Sequence, residues 1–414
     1  MQNILIMKGK LKVFVAMSGG VDSSVAAALL KEQGYNVVGV HMRCWSQRSS
    51  DACGIGVPCT AAAEAEDARR AAEILRIPFY VFDFEKEYKA AVVDYMVQGY
   101  KQGITPNPDV MCNKEIKFGL FLKKALAMGA DYVATGHYVR LQTLNKELRT
   151  KNNQLKCSKF YVLSSAFDKN KDQSYFLWTL TQDQLQHCLF PIGDYQKPQV
   201  RKLAARFGLL NAKKKDSQGI CFLGQVSLPD FLAQYIKPKK GDILLAPSLR
   251  GSASWRRRGN LTEKPIKIGT HNGAYFYTIG QRQGLKIGGF KKPLYVVSKD
   301  IKKNIIVVAE GDDHPALYKK EVELVNTNFF PPVIAIRQSA EKQSYINVFA
   351  RVRYRQPLEG AQLCLYPYSR ELGNRRKYKL IFGKPMKFVA PGQSAVFYDR
   401  KGVMLGGGVI KSVK

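Results

Sequence analysis

The first half of the chain alternates short apolar runs with longer segments in which apolar residues recur at helical spacing. The runs predict four strands, at Val13–Met17, Val37–Met42, Phe79–Phe82 and Tyr132–Thr135. The longer segments predict helices over Asp22–Leu30, Glu64–Leu75, Tyr88–Gln102 and Lys114–Met128. Strands that alternate with helices of about 10–15 residues are typical of a parallel sheet covered by helices on both faces. We therefore predict an α/β fold of Rossmann-like type for this part.

In the last third of the chain the apolar segments are shorter and rich in Val, Ile, Phe and Tyr. They predict strands at Leu294–Val297, Asn304–Ala309, Tyr345–Tyr354, Lys387–Ala390 and Ser394–Tyr398. Short strands separated by Gly and Pro indicate a small antiparallel β-barrel or β-sandwich. The region between the halves combines a helix at Pro229–Tyr235 with Gly-rich loops, which favours a small central α+β domain. We place the three domains at 1–215, 216–285 and 286–414.

Positive charge dominates the composition and is unevenly distributed. The 65 Lys and Arg against 33 Asp and Glu give a net charge of +32. Residues 1–140 hold 17 basic and 14 acidic residues, or +3, so the remainder carries 48 minus 19, or +29. Concentrated Lys and Arg favour a nucleic-acid partner, because they release counterions condensed on phosphates.

Membrane insertion and secretion are not indicated by the sequence. No uncharged apolar run approaches the ~18 residues that a spanning helix needs. The N-terminal MQNILIM is too short for a signal-peptide core and is not a transit peptide. We expect a cytoplasmic protein with no membrane partner.

One glycine-rich motif, SGGVDSS at 18–24, follows the first predicted strand and opens the first predicted helix. Its glycines allow the backbone to approach a phosphate group, and the first N–H groups of the helix can donate to that group. Neither a Walker A loop nor a GxGxxG fingerprint occurs at this junction. Asp22 is placed to hold Mg²⁺ beside the phosphates. Met42 and Gly136 lie at the ends of two other strands, where open parallel sheets bind ligands.

Two of the eight cysteines have polar surroundings that suggest chemistry rather than packing. A helix starting near Asn113 would place Cys112 at its N-terminus, where the helix field stabilises a thiolate. Asp109 lies close enough in sequence to take or give a proton. Cys221 follows a run of lysines and Gly219, which also favours a thiolate. Such a pair can deliver sulfur as a persulfide and close as a disulfide.

The other cysteines suggest no metal site. No CxxC pair occurs, so a zinc ribbon is not expected. Cys44, Cys53 and Cys59 lie close together in a Gly-rich segment, but their spacing matches no metal motif.

Nine motifs together resemble the bacterial tRNA-specific 2-thiouridylase family of the PP-loop ATP pyrophosphatase superfamily. They are SGGVDSS, TPNPDVMCNKEIKF, ATGHY, KDQSYFL, FPIGDYQKPQVRKLA, KKKDSQGICFLG, TIGQRQGLKIGG, PGQSAVFY and the terminal LGGG. The resemblance implies a PP-loop domain, a small central domain and a C-terminal β-barrel. It implies a tRNA-uridine 2-sulfurtransferase that thiolates the wobble uridine of tRNAs for Lys, Glu and Gln. The C2 carbonyl of the base would be adenylated and sulfur would come from a cysteine persulfide.

The same resemblance assigns the catalytic and ATP-binding residues. Cys112 matches the catalytic nucleophile, Cys221 the persulfide carrier and Asp109 an acid/base that contacts the target base together with Asn107 and Pro108. The ATP-binding positions would be Ala16, Met17, Ser18, Gly19, Gly20, Val21, Asp22, Ser23, Met42 and Gly136. ATP with Mg²⁺ is the implied cofactor, with no metal ligand set from the protein alone and no permanent cofactor. An iron–sulfur cluster, as some sulfur-transfer relatives carry, is the less favoured alternative.

The resemblance also implies partners and their contacts. The tRNA would meet His137, Lys171, Asp172, Gln173, Arg353, Tyr354 and Gln393. Strand alternation independently predicts that Arg351, Arg353 and Arg355 share one face and Val348, Ala350, Val352 and Tyr354 the other. A persulfide-donating relay protein would supply the sulfur. Three basic stretches, 145–158, 255–267 and 369–379, replace short turns of the family, and the sequence assigns them no role.

Three rival hypotheses use part of these features. An amide-forming PP-loop synthetase would need neither the two cysteines nor the basic C-terminal half. An enzyme similar to tRNA lysidine synthetase would use the basic surface with an amine nucleophile. A non-catalytic RNA-binding protein would not need the intact SGGVDSS loop.

Overall fold

The computed structural model describes residues 11–45, 60–149, 155–215, 227–247, 265–330, 344–365 and 378–413. Cys53, Cys59 and Cys221 lie outside these residues, as do most of the basic stretches 255–267 and 369–379 and the centre of 145–158. In the described part of the chain, no helix has the length and apolar character needed to cross a membrane.

Strands make up much of the described chain, with helices concentrated in its first half. The strands are β1 (Lys12–Ala16), β2 (Asn36–Arg43), β3 (Phe79–Asp83), β4 (Tyr132–Thr135), β5 (Val139–Arg149), β6 (Leu155–Ser165), β7 (Cys188–Leu189), β8 (Gly241–Leu245), β9 (Ile266–His271), β10 (Leu294–Asp300), β11 (Ile305–Glu310), β12 (Tyr318–Phe329), β13 (Ser344–Arg351), β14 (Glu359–Leu365), β15 (Tyr378–Lys387), β16 (Ser394–Tyr398) and β17 (Met404–Val413).

The helices include two that change their winding part-way. They are α1 (Val21–Glu32), α2 (Thr60–Ile74), α3 (Glu85–Tyr88, Lys89–Val93 and Asp94–Lys101), α4 (Pro108–Met111, Cys112–Phe121 and Leu122–Ala127), α5 (Gln182–Leu185), α6 (Lys197–Arg206) and α7 (Leu228–Ala233). The middle segments of α3 and α4 are π-helical. Short 3₁₀ turns occur at Ser174–Phe176, Leu210–Lys213, Ala274–Phe276 and Pro315–Leu317.

A five-stranded parallel sheet, ordered β3-β2-β1-β4-β7, forms the core of the first part. Residues 13–16 of the central strand β1 form an unbroken apolar run, as is typical of a strand with both faces buried. Val13 and Val15 pack with α1, α2 and α6, whereas Phe14 packs with α3 and α4 on the opposite face. The predicted Rossmann-like domain is confirmed.

The C-terminal strands close into a six-stranded antiparallel barrel, ordered β12-β15-β14-β13-β16-β17, as predicted. The assignment of Leu294–Val297 and Asn304–Ala309 to this barrel is wrong. They form β10 and β11, which join β8 and β9 in a mixed four-stranded sheet ordered β10-β11-β8-β9. Periodicity identifies a strand but not its partner, and here the partner β8 lies about 60 positions earlier in the chain (305 minus 245).

Two further expectations for the barrel are also wrong. Lys387–Ala390 is not a strand, because β15 ends at Lys387 and Phe388 adopts a left-handed conformation with φ 58°. The arginines 351, 353 and 355 do not share one strand face, because β13 ends at Arg351 and that side chain is buried. Val348, Ala350 and Val352 do fill the barrel core together.

Arg351 instead joins the barrel to the first domain through a buried ion pair with Asp172. The side chains of the two residues are 7% and 4% exposed. Arg351 also donates to the hydroxyl of Tyr398 at 3.1 Å, and Asp172 accepts the N–H groups of Ala166 and Ser174. Nearby, the Trp178 indole donates to Ser394 Oγ at 3.0 Å. These bonds fix the barrel against the segment that follows β6.

Replacing Asp172 with asparagine is expected to lower the free energy of unfolding by about 3–5 kcal/mol, because it leaves the buried Arg351 charge uncompensated. Urea unfolding followed by tryptophan fluorescence measures the change. Glu73→Gln is the matched control, since it breaks an exposed ion pair with Arg69 that is worth at most about 1 kcal/mol. Equal losses in the two variants would contradict the structural role of the buried pair.

Candidate functional site

The SGGVDSS segment forms the turn between β1 and α1. Gly19 has φ 74° and packs so closely on the carbonyl of Glu64 in α2 that a side chain there would collide with it. Gly20 caps α1 without a side-chain hydrogen bond to the first turn. The N-terminus of α1 therefore offers backbone N–H groups and the positive end of the helix dipole to an anion.

Side chains from a later part of the chain brace this turn. Asn211 donates from Nδ2 to the carbonyl of Gly19 at 3.2 Å and to Ser24 Oγ at 3.0 Å. Lys214 donates to the same carbonyl at 3.3 Å and pairs with Asp67 at 2.7 Å. Lys214 lies seven positions before Cys221 (221 minus 214), so the chain that carries Cys221 departs from beside the glycine turn.

Asp22, in the first turn of α1, is held by two partners that the sequence analysis did not identify. Lys197 Nζ lies 2.8 Å from both carboxylate oxygens, and the Tyr138 hydroxyl donates to Oδ1 at 2.8 Å. The Lys197 side chain is only 10% exposed. Lys197 is the first residue of α6, a position where the helix dipole disfavours a cation. A lysine at a predicted helix start is the sequence feature that could have identified it as a site residue.

Gly136, after β4, meets the same helix. A side chain at Gly136 would lie 2.6 Å from Ser23 N and 2.7 Å from the carbonyl carbon of Asp22, so only glycine fits. His137 is buried next to it, and its Nδ1 lies 2.7 Å from Thr135 Oγ1. Burial lowers the pKa of His137 well below its usual value, with Lys117 adding to the shift, so this ring is neutral at pH 7. Met42 lies near the end of β2, half-buried.

Cys112 lies within α4 rather than at a helix start near Asn113, so that expectation is wrong. The helix begins at Pro108, and Asn107 caps it by accepting the N–H of Val110 at 3.3 Å. A proline at the first helical position and an asparagine cap are a sufficient reason for the earlier start. Cys112 consequently lies one turn inside the helix and is 5% exposed.

The expected stabilisation of a Cys112 thiolate is also absent from this conformation. Burial raises the pKa of the Cys112 thiol, and the Asp109 carboxylate adds to the rise. Lys117 and a hydrogen bond with Tyr88 act in the opposite direction but do not overcome the burial. Cys112 is therefore a protonated thiol here, and any conformational change that admits solvent or a cation would activate it.

The helix of Cys112 and the glycine turn meet at the carboxyl end of β4. The Phe118 ring, on α4, lies 6.0 Å from the ring of His137, which follows Gly136. Asn113, next to Cys112, donates to the carbonyl of Phe176 at 3.4 Å. The glycine turn and the Cys112 segment thus share one edge of the parallel sheet, the edge where open α/β sheets bind ligands.

Most positions expected to contact tRNA already have partners within the chain. Gln173 accepts the N–H of Tyr138 at 2.9 Å, and Asp172 is buried against Arg351. Arg353 donates to the carbonyl of Ile279, and the Tyr354 ring packs on Phe176 at 4.5 Å. Gln393 donates to the carbonyls of Thr105 and Pro106, and Lys171 is half-buried.

A basic loop in the middle of the chain was quoted among the motifs but given no role. Its residues 282–294 surround an open cavity of about 590 Å³. Arg282, Lys286 and Lys291 are exposed on its rim, while Lys292 pairs with Asp313 at 3.3 Å. The loop begins near the segment that leads into the Cys112 helix. Thr278, just before the loop, accepts a hydrogen bond at 3.1 Å from Thr105, which lies just before α4.

Metal-ligating side chains do not cluster anywhere in the described part of the chain, where no group of three His, Cys, Asp or Glu could hold an ion. Cys44, the described member of the Cys44, Cys53 and Cys59 cluster, is half-buried. At the glycine turn the Asp22 carboxylate could contact a cation, and a magnesium ion there would also need oxygen ligands from the nucleotide and water.

Family models match three consecutive parts of the chain: the tRNA methyl transferase HUP domain (residues 11–225), the tRNA methyl transferase PRC-barrel domain (229–310) and the aminomethyltransferase beta-barrel domain (333–410).

Proteins named tRNA-specific 2-thiouridylase MnmA are similar over almost the whole length. The protein of Christiangramia forsetii is 42% identical, covering 96% of this chain and 99% of its own. Those of Halalkalibacterium halodurans and Listeria monocytogenes are 42% and 41% identical, each covering 97% of this chain and 95% of its own. Similarity of this extent shows that the chain belongs to the MnmA family of tRNA-specific 2-thiouridylases.

Proposed function

We propose that this protein is a tRNA-uridine 2-sulfurtransferase that thiolates the wobble uridine of tRNAs for Lys, Glu and Gln at the expense of ATP. The observation that carries the proposal is that the glycine turn and helix α4, which contains Cys112, lie at the same edge of the parallel sheet. The chain also carries most of its net positive charge after residue 140. The rival amide synthetase needs neither the cysteine helix nor the charge, and a non-catalytic RNA-binding protein does not need the turn.

The first step is adenylation of the base. The C2 oxygen of the uridine attacks the α-phosphorus of ATP, pyrophosphate leaves, and the oxygen becomes part of an AMP leaving group. The α1 N-terminus, Ser18 and Ser23 bind phosphate oxygens, and Lys197 compensates their charge. Asp22 would contact Mg²⁺ brought with ATP, which would neutralise phosphate charge. Asn107 and Pro108 contact the target uracil ring, and Asp109 accepts or donates a proton there.

The second step is sulfur transfer. The terminal sulfur of a Cys221 persulfide attacks C2 and AMP leaves. The Cys112 thiolate then attacks the Cys221 sulfur, which breaks the sulfur–sulfur bond, leaves the thiocarbonyl on the base and forms a Cys112–Cys221 disulfide. Alternatively, Cys112 first releases hydrosulfide from the persulfide, and the hydrosulfide attacks C2. A persulfide-donating relay protein would load Cys221, and a cellular thiol would reduce the disulfide.

Mass spectrometry of tRNA nucleosides tests the proposal directly. Purified protein is incubated with tRNA, ATP and a persulfide donor, and 2-thiouridine at the wobble position is expected together with one AMP and one pyrophosphate per modified base. Omitting ATP should leave the uridine unmodified. AMP formation with small carboxylic acids and without tRNA would instead support the amide-forming rival.

Affinity for tRNA is expected to fall steeply with salt, roughly a thousandfold between ~50 and ~200 mM if six phosphates are neutralised. We assign part of this charge to Arg282, Lys286 and Lys291, because they are exposed on a loop rooted beside the Cys112 segment. Replacing all three with alanine should reduce the slope of log Kd against log salt by about three at most. Filter binding at several salt concentrations measures it.

The matched control removes the same number of charges from the same part of the chain. Lys237, Lys239 and Lys240 are exposed just before β8, and their triple alanine variant should change the slope by less than about one. Equal changes in the two variants would mean that binding is diffuse and would contradict a role for the loop.

A further inference from the structure

We propose that Gln393, a residue of the barrel, is a positioning residue that holds the Cys112 segment in its closed state, in which Cys112 is buried. The inference rests on the proposed function, because that function makes Cys112 the reacting thiol. Its test does not require that function, since it measures the reactivity of Cys112 without tRNA or ATP. The resemblance to the family assigns Gln393 to the tRNA, whereas its side chain in this structure donates to the carbonyls of Thr105 at 2.9 Å and Pro106 at 3.2 Å.

The Thr105–Pro108 segment depends on such outside partners. Its two prolines, Pro106 and Pro108, have no N–H to donate, so the segment cannot form a regular hydrogen-bond ladder of its own. The N–H of Thr105 donates to the carbonyl of Pro391 at 2.9 Å, and its hydroxyl bonds to Thr278. The barrel and the loop between β9 and β10 therefore hold the segment before α4 from two sides.

The barrel loop around Gln393 is itself held firmly. Gly392 donates to the carbonyl of Ile410 at 2.8 Å, and Ile410 donates to that of Gln393 at 2.8 Å. A side chain at Gly392 would lie 2.8 Å from the carbonyl oxygen of Thr105, so the two backbones approach as closely as glycine permits. Next along the strand, the carbonyl of Ser394 accepts from Tyr175, which is also hydrogen-bonded with Asn107, the cap of α4.

These contacts join the barrel to Cys112 by a short path. Gln393 fixes Thr105 and Pro106, the prolines transmit that position to Asn107, and Asn107 caps the helix in which Cys112 is buried. A tRNA group that takes the Gln393 amide for itself would free the segment and open Cys112. In the tRNA-free state the same amide keeps the thiol from reacting.

The test measures alkylation of Cys112 by iodoacetamide without tRNA or ATP, by peptide mass spectrometry. Gln393→Met removes the donor at nearly constant volume, and Gln393→Glu removes it with the shape kept. Both should accelerate alkylation of Cys112 by about tenfold, as expected for one or two lost hydrogen bonds, and lower the pH midpoint of the reaction. The single-turnover thiolation rate should also differ from the wild-type rate. It is measured at saturating tRNA, so that a change in Kd does not contribute to the difference.

Two controls make the result decisive. Gln356→Met removes another barrel glutamine that donates to a backbone carbonyl, that of Lys387, and should leave Cys112 unaffected. Cys188, buried elsewhere in the first domain, reports general loosening in the same samples. Equal acceleration at Cys188 and Cys112, or an unchanged Cys112 rate with weaker tRNA binding alone, would overturn the proposal. The alkylation readout requires no turnover, so it stands apart from the nucleoside assay of the proposed function.

Discussion

Cys112→Ser is expected to lower the rate of tRNA thiolation at least about a thousandfold while adenylation of the tRNA continues. A serine hydroxyl is not ionised near neutral pH and cannot accept a sulfur–sulfur bond, so the disulfide-forming step is lost. Adenylation is assigned to the glycine turn and Asp22 and does not involve the Cys112 thiol. The variant should therefore still release one pyrophosphate per tRNA. Single-turnover assays of 2-thiouridine and of pyrophosphate measure the two steps separately.

The matched control is Cys188→Ser. Cys188 is buried in the same domain, in β7, and its thiol lies 3.1 Å from the carbonyl of Gln184, to which a serine hydroxyl could donate equally well. This variant should thiolate tRNA within about twofold of the wild type, because a hydrogen-bonded thiol is replaced by a hydrogen-bonded hydroxyl. A similar loss in both variants would indicate a packing effect and not nucleophilic chemistry.

The wild-type protein supplies a further test of the cysteine pair. After one turnover without reductant, peptide mapping is expected to find Cys112 joined to Cys221, which requires their Cα atoms to come within ~7 Å. Lys215 lies next to the braced glycine turn, and the six residues that follow it can reach at most ~20 Å. Free thiols at both positions, together with a stoichiometric amount of thiolated tRNA, would contradict the two-cysteine mechanism.

Local sequence signals were sufficient to predict the parallel sheet and the glycine turn. The apolar run Val13–Met17 is followed directly by SGGVDSS, and both features depend on neighbouring residues only. Short strands separated by Gly and Pro likewise predicted a small antiparallel barrel or sandwich, and the family resemblance implied the barrel. The place of β10 and β11 was not predicted, because their partner β8 is distant in the chain and periodicity carries no pairing information.

The state of Cys112 could not be read from the sequence. Its position within α4 depends on Asn107 and Pro108, which were visible, but its raised pKa depends on burial against α3, which was not. The same holds for Arg351, whose alternation with apolar residues predicted a strand face shared with Arg353 and Arg355. Its actual partner, Asp172, is 179 positions away, and only the assembled fold brings the two charges together.

Asp22→Asn is expected to lower ATP-dependent AMP formation by a factor on the order of a hundred to a thousand, the size found when one preorganised electrostatic contact is removed. The substitution keeps the shape of the side chain but removes the charge that orients Lys197 and that would contact Mg²⁺. Lys197→Met should have a similar effect. Because the two groups act as a unit, the double variant should be scarcely worse than either single one. The affinity for tRNA should remain within about twofold of the wild-type value, since one half-buried site charge is a small part of the polyanion-binding surface.

The structure provides an internal control, because two ion pairs join the same helices α1 and α6. Asp22 and Lys197 form the one beside the glycine turn, and Glu32 and Arg206 form an exposed one at the far end, at 2.8 Å. If Asp22 merely docked the helices, Glu32→Gln would lose AMP formation to a comparable degree. If Asp22 serves the phosphates, Glu32→Gln should keep its rate within about twofold, as expected for an exposed pair. Normal AMP formation by Asp22→Asn would show that the glycine turn does not bind the reacting nucleotide.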